Sequence, residues 1–305
     1  MTLAFISHPD CALHDMGSSH PESPLRLAAI QKQVRLSGLE PLLEYVEAPL
    51  ASREQLALAH TVEHIDFVFR SSPTQGMVDL DPDTTMNPHT LAAARRAAGA
   101  AILAVDRVMS GLNHAAFCSV RPPGHHAERH RAMGFCIFNN VAIGAAYALQ
   151  KYSLQRVAIV DFDVHHGNGT ENIFRHNPAV LLCSTFQSPL YPYSGTGPVA
   201  DNIINVPLPA GTDGTTFRKA VTTTVLPALD TFAPELILFS AGFDGHRDDP
   251  LASLNLLEQD YHWITTEVRN LAQRHAKDRI ISLLEGGYAL PALASSVVAH
   301  LQALV

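Results

Sequence analysis

The sequence predicts an α/β protein in which a parallel sheet is flanked by helices. Three observations carry that expectation. Short, continuous apolar runs such as Val157-Ala158-Ile159-Val160 and Leu236-Ile237-Leu238-Phe239 lack the alternation of a half-exposed strand, so they suit strands buried on both faces. Stretches with apolar residues at helical spacing separate these runs. Polar clusters rich in aspartate and histidine follow the runs directly, at the carboxyl ends of strands, where parallel sheets place ligands.

Taken in order, Leu3-Ala4-Phe5-Ile6 reads as a first strand, and Ser23-Pro24 supplies an N-cap and first-turn proline for a helix ending near Leu36. His20-Pro21-Glu22 lies between them. A helix is expected from Arg53 to Val68, then a polar loop from Met77 to Asn87 that carries Asp81, Asp83 and Asn87. The alanine-rich stretch from Pro88 to Ser110 has strong helix propensity and meets Gly111 where a C′ glycine is favoured. Ala115-Ala116-Phe117-Cys118 is the next strand, leading into the proline-stiffened Arg121-Pro122-Pro123-Gly124-His125-His126. After Gly134-Phe135-Cys136, Asn139-Asn140 opens a helix to about Lys151. Beyond the Val157 run come a strand at Val180-Leu181-Leu182-Cys183 and a tight aromatic loop, Tyr191-Pro192-Tyr193-Ser194-Gly195-Thr196-Gly197. Asp213 caps a helix running towards Leu229. An amphipathic helix from Glu258 to His275 separates the Leu236 run from a last strand, Ile280-Ile281-Ser282-Leu283-Leu284, which ends in Glu285-Gly286-Gly287-Tyr288.

With 305 residues, no linker rich in proline, glycine or serine and no charge run, the chain is expected to form one domain over residues 1–305. A formal net charge of -8 without a Lys/Arg cluster argues against direct binding to nucleic acid or an anionic membrane, and against a polyanionic substrate. Cys11, Cys118, Cys136 and Cys183 show no C-x-x-C spacing and read as reduced, buried thiols. With neither a secretory pattern nor an apolar run long enough to span a bilayer, the cytoplasm is the expected compartment.

The chemistry concentrates in Asp161-Phe162-Asp163-Val164-His165-His166-Gly167-Asn168-Gly169-Thr170. Side chains two apart on a strand share a face, so Asp163 and His165 are expected to converge on one ion, with Asp161 on that face one step deeper. A catalytic zinc usually takes three protein ligands, and Asp244, which follows the Leu236 run through Ser240-Ala241-Gly242-Phe243, is the best third. Two carboxylates and one imidazole offset a divalent charge and keep the ion Lewis acidic; such a site would also accept Fe(II) or Co(II). His125-His126 at another strand end offer a base of near-neutral pKa. Paired glycines before Tyr288 permit a close backbone approach and present a phenol. Singly, these residues read as well as helix caps, loop histidines or a packing tyrosine. Their recurrence along one edge of several buried strands is what points to metal-assisted hydrolysis.

Together the motifs resemble the zinc-dependent histone deacetylase superfamily, nearest its class II and bacterial deacetylase-like amidohydrolase branches. The landmarks are His20-Pro21-Glu22 with Arg26, Arg121 to His126, Gly134 to Asn140, Asp161 to Thr170, Ser240 to Asp244 with Asp249-Pro250-Leu251, and Leu284 to Tyr288. The resemblance implies the arginase-deacetylase fold, with a parallel sheet of about eight strands. It assigns zinc to Asp163, His165 and Asp244, proton transfer to His126, charge stabilisation to His125, and a hydrogen bond on the substrate carbonyl to Tyr288. It pairs His125 with Asp161 and His126 with Asn168, and it implies a structural potassium at the backbone around Asp161, Asp163, His165, Ser184 and Thr185. It also implies a narrow substrate channel beside Gly134, with Phe135 and Tyr193 on opposite walls and Leu251 at the gate. Asp83, or alternatively Asp81, would accept amide hydrogen bonds from a peptide.

An apolar Leu251 where polyamine-selective relatives carry an acid near the mouth favours acyl-lysine in a peptide or protein over an acetylpolyamine or other small acyl-amine. An arginase-like pair of manganese ions fits less well, because His166, Gly167 and Asn168 stand where a further carboxylate is needed, and His246 lies two residues beyond Asp244. An acyl-group binding protein without catalysis would have lost a ligand, the base or the tyrosine, and all are present. The sequence carries no signal of oligomeric state.

Overall fold

The computed structural model describes residues 2–305. Its centre is an eight-stranded parallel sheet of β1 (Leu3–Ser7), β2 (Leu43–Glu47), β5 (Ala115–Cys118), β6 (Val157–Asp161), β7 (Val180–Gln187), β8 (Ile203–Leu208), β9 (Leu236–Ala241) and β10 (Ile280–Leu284). A separate antiparallel hairpin pairs β3 (Val78–Asp81) with β4 (Thr84–Met86). The sheet order is β2-β1-β5-β10-β9-β6-β7-β8, so the last two strands of the chain are inserted between β5 and β6. Fully buried strands alternate their side chains between two cores. Leu236, Leu238, Ile281 and Leu283 face the core built with the helices Thr90–Met109 and Asn140–Tyr152. Ile237, Phe239, Ile280 and Leu284 face the core built with the helices Glu258–His275 and Leu290–Leu304. Unbroken apolar runs are therefore what the inner strands β5, β6, β9 and β10 require, since neither of their faces meets water.

Several elements depart from the sequence reading. β2 and β8 were not anticipated; both lie at sheet edges, where β2 carries Glu44 and Glu47 and β8 carries Pro207, residues that blur a strand signal but suit an edge. The stretch expected as a loop from Met77 to Asn87 contains the β3/β4 hairpin. The helix expected from Arg53 to Val68 is two, Arg53–Leu56 and Val62–Ser71. They break because Thr61 is extended (ψ 153°), caps the second helix by accepting from the His64 amide at 3.3 Å, and donates its own N–H to the Arg129 carbonyl at 2.9 Å. The helix capped by Asp213 passes through a π turn, Val221–Val225, on its way to Phe232. No helix among the described residues is long and apolar enough to cross a membrane.

Candidate active site

The carboxyl ends of β5, β6, β9 and β10 meet in one buried cluster. Asp163 and His165 do not belong to a strand: β6 ends at Asp161, and both lie in the bend that follows it. They converge all the same. His165 Nδ1 lies 3.0 Å from Asp163 Oδ1 and 3.1 Å from Asp244 Oδ2, and ligand atoms of the three residues all fall within 4.8 Å of one another. Backbone amides fix the carboxylates, Val164 N–H donating to Asp244 Oδ1 at 2.9 Å and Gly286 N–H to Asp163 Oδ2 at 2.8 Å. A Cβ on Gly242 would fall on Asp163, and one on Gly286 would fall on both Asp163 and Asp244, so the glycines let backbone close around the acids. Burial alone would lower the His165 imidazole, but the hydrogen bonds and charges of Asp163 and Asp244 outweigh it and push it up to about 10. Two buried carboxylates around one imidazole therefore form a pocket that favours a cation, and the donor set fits a divalent metal.

Two histidines of opposite character stand beside this cluster, their rings 4.1 Å apart. His125 Nδ1 meets Asp161 Oδ2 at 2.9 Å, and His126 Nδ1 meets Asn168 Oδ1 at 2.8 Å. Burial opposes charge on both. In His125 the carboxylates of Asp161 and Asp163 overcome it and hold the imidazole well above 6.5; in His126 burial is reinforced by the charge of His125, and the imidazole is held well below 6.5. Asn168 Nδ2 donates to Glu128 Oε1 at 2.9 Å, which orients its oxygen towards His126 and leaves His126 Nε2 as the free acceptor. The hydroxyls of Ser184 and Thr185 are buried with no hydrogen-bond partner, next in the sheet to Asp161.

Tyr288 is held through its ring and its backbone. The Arg26 guanidinium lies 5.1 Å from the ring centroid and Phe135 packs edge-on at 6.0 Å, while Asp249 Oδ2 accepts from the Tyr288 amide at 2.7 Å. Leu251 donates its amide to the other oxygen of Asp249 at 3.0 Å, so the leucine expected at the gate sits on the turn that supports Tyr288. Gly134, at φ 58°, lies against the His126 ring. Asp83 Oδ1 accepts from the Gly134 amide at 2.9 Å and from the Thr84 hydroxyl at 2.8 Å, bracing the turn that carries Phe135. Burial, with the Asp83 carboxylate adding to it, raises the Tyr191 phenol.

Two aromatic rings stand beside the cluster, Phe135 against Tyr288 and Tyr191 against the histidines. The sequence reading assigned the second wall to Tyr193, but Tyr193 is 80% exposed, whereas the Tyr191 ring stands edge-on to His126 at 5.2 Å and to His165 at 6.3 Å. The two tyrosines flank Pro192 in an irregular loop, so no periodicity tells which ring turns inward.

Sequence reasoning also left Glu285 without a role. Its Oε2 accepts from the Gly124 and His125 amides at 2.6 and 3.1 Å, and its Oε1 takes the Ser240 hydroxyl at 3.1 Å, so it ties β5, β9 and β10 together behind the histidines. Burial raises this carboxyl to about 7 against the opposing charge of His125. Glu22 is fully buried between Arg26 and Arg121; burial would raise its carboxyl, but Arg121 and His14 hold it well below the usual range. Arg26 in turn donates Nε–H to the Gly287 carbonyl at 2.7 Å, which links the His20-Pro21-Glu22 landmark to the turn before Tyr288.

A buried Asp-His-Asp cluster that could hold a metal ion, at the strand ends of a parallel sheet and with two further histidines beside it, places the protein in the class of α/β hydrolases. The particular family is the histone deacetylases, to which the chain belongs: the histone deacetylase domain matches residues 20–304. The histone deacetylase-like amidohydrolase of Pseudomonas aeruginosa is 37% identical, covering 89% of this chain and 73% of that protein. Polyamine deacetylase HDAC10 of Mus musculus is 37% identical across 100% of this chain and 48% of its own length. The crystal structure of the HDA15 HD domain superposes with a TM-score of 0.93 at 32% identity, covering 100% of this chain and 90% of that one.

Proposed function

We propose that the protein is a zinc-dependent deacylase that cleaves the amide bond of acyl-lysine side chains, and that Asp163, His165 and Asp244 hold the ion. When bound, the cation supplies Lewis acidity to the acyl carbonyl and acidifies water at neutral pH. His126, neutral and with Nε2 free, takes a proton from the attacking water and returns it to the leaving amine. His125 stays cationic against Asp161 and stabilises the negative charge that develops beside it. Tyr288, its phenol pushed well above 10 by burial, remains protonated and donates to the carbonyl oxygen as that charge forms. Phe135 and Tyr191 flank the alkyl chain, and Asp83 takes a backbone amide of the peptide. The products are a carboxylate and a free amine.

The observation that carries this reading is the pair of adjacent histidines beside a single carboxylate-lined pocket, one held by the Asp161 carboxylate and the other by the neutral Asn168 amide. A structural potassium near Asp161, Asp163 and His165 fits the unpartnered Ser184 and Thr185 hydroxyls, and it would stiffen the bend that carries the ligands. The test is a turnover panel of acyl-lysine peptides, acetylpolyamines and small amides, run together with metal analysis. One tightly bound divalent ion per chain and zinc-restored turnover of acetyl-lysine after chelation are expected. Two tightly bound divalent ions, or a metal-loaded protein inert on the whole panel, would overturn the proposal. Turnover confined to polyamines would overturn the lysine assignment alone.

A further inference from the structure

The loop from Leu190 to Gly197 carries Tyr191, and its far end is tied down by a closed circuit of hydrogen bonds. Ser194 Oγ lies 2.8 Å from His166 Nδ1, and His166 Nε2 lies 3.0 Å from Glu171 Oε2. The same carboxylate oxygen accepts from Asn205 Nδ2 at 2.8 Å, and Asn205 Nδ2 also donates to the Gly195 carbonyl at 3.1 Å. The proton directions agree around the ring. An ionised Glu171 only accepts, so it takes the Nε2 proton of His166 and leaves Nδ1 to accept the Ser194 hydroxyl; Asn205 has two amide protons for two acceptors. Because Ser194 and Gly195 are consecutive, the circuit closes on itself. Gly195, at φ 86°, fills a seat against the His166 and Phe186 rings that any Cβ would obstruct.

Glu171 belongs to the short helix Asn168–Phe174 and Asn205 to β8, so the circuit fastens the loop to the scaffold on two sides. Nothing in the ring touches the reacting atoms. What it holds in place is Tyr191, the wall against His126 and His165. We infer that Glu171 and Asn205 are positioning residues that set the width of the channel at Tyr191, and through it the affinity for the substrate's alkyl chain; the inference rests on the deacylase reading above.

Glu171→Ala and Asn205→Ala open the circuit from the scaffold side, and Ser194→Ala opens it at an exposed position that does not bear on folding. Amide hydrogen exchange across residues 190–197 is expected to quicken about tenfold or more in each. On an acetyl-lysine peptide, KM should rise about three- to tenfold while kcat stays within about twofold. Glu171→Gln keeps an acceptor oxygen and should recover most of the loss. Unchanged exchange in all three variants overturns the clamp, whatever the substrate proves to be. Faster exchange with unchanged KM overturns its part in substrate binding. A wild-type protein inert on acyl-amines overturns the deacylase reading instead, and the exchange measurement still decides the clamp.

Discussion

Replacing Tyr288 with phenylalanine removes one oxygen and leaves every visible anchor of the side chain in place. The ring still has Arg26 at 5.1 Å and Phe135 at 6.0 Å, and the backbone still donates to Asp249 at 2.7 Å. No bond that holds the residue runs through the hydroxyl, so the stability cost should be below about 1 kcal/mol. The kinetic cost should be far larger. Burial keeps the phenol protonated through the neutral range, so the wild-type hydroxyl is always available as a donor to the developing oxyanion. Loss of such a donor typically costs about 2.7–4 kcal/mol, or roughly 100- to 1,000-fold in rate. The assay is kcat/KM on an acetyl-lysine peptide alongside a thermal melt of the same preparation. A variant that melts with the wild type and retains more than about a tenth of its kcat/KM, a deficit under about 1.4 kcal/mol, would remove Tyr288 from the mechanism.

The acid limb of kcat/KM should lie below 6.5, because His126 must be neutral to accept a proton and its burial beside His125 depresses it. Asn168→Asp places a carboxylate on His126 Nδ1 and should move that limb upward by about 1–3 units; a downward move would count against His126 as the base. Wild-type kcat/KM should be about tenfold or more higher on an acetyl-lysine peptide than on acetylspermidine or acetylputrescine, about 1.4 kcal/mol of discrimination, and Leu251→Glu should narrow the gap. The reverse preference would sink the lysine assignment and spare the hydrolase. His60 and His300 are each lowered by burial to about 3, so below 6.5 the unfolded chain binds protons that the native one does not. Stability should therefore fall with pH from about 6.5 downward, each of the two adding about 1.4 kcal/mol per pH unit to the slope. A denaturation series with no such slope between about pH 6 and 4.5 would show that they titrate normally.

The sheet's central strands and the chemical residues that end them were readable in the sequence for a common reason. A strand buried on both faces must be apolar throughout, so Asp163, His165 and Asp244 stand out as sharp polar breaks after apolar runs. The edges gave no such contrast. β2 and β8 mix charged, amide and proline residues with apolar ones, because one side of each meets no further strand. Partners that act through backbone groups were equally silent. Glu285 accepts from Gly124 and His125 amides 161 and 160 residues away in sequence, and no side-chain pattern announces an amide donor. Tyr191 was missed because an irregular loop has no period from which to infer facing.

The insertion of β9 and β10 between β5 and β6 also dictates an order of assembly during synthesis. A ribosome delivers the chain from its amino end, so β2-β1-β5 and β6-β7-β8 emerge as two half-sheets, each with a bare edge where its eventual neighbour is still untranslated. The first half ends in His125 and His126, and the second in Asp161, Asp163 and His165. Neither half can enclose an ion, since Asp244 and the Gly286 amide that complete the pocket arrive with the last two strands. Those strands act as a keystone: they join the halves, and with them comes Asp244, the third residue of the candidate metal cluster. Until then the nascent protein has neither a continuous sheet nor a reaction centre, and its open edges are what a chaperone would have to shield.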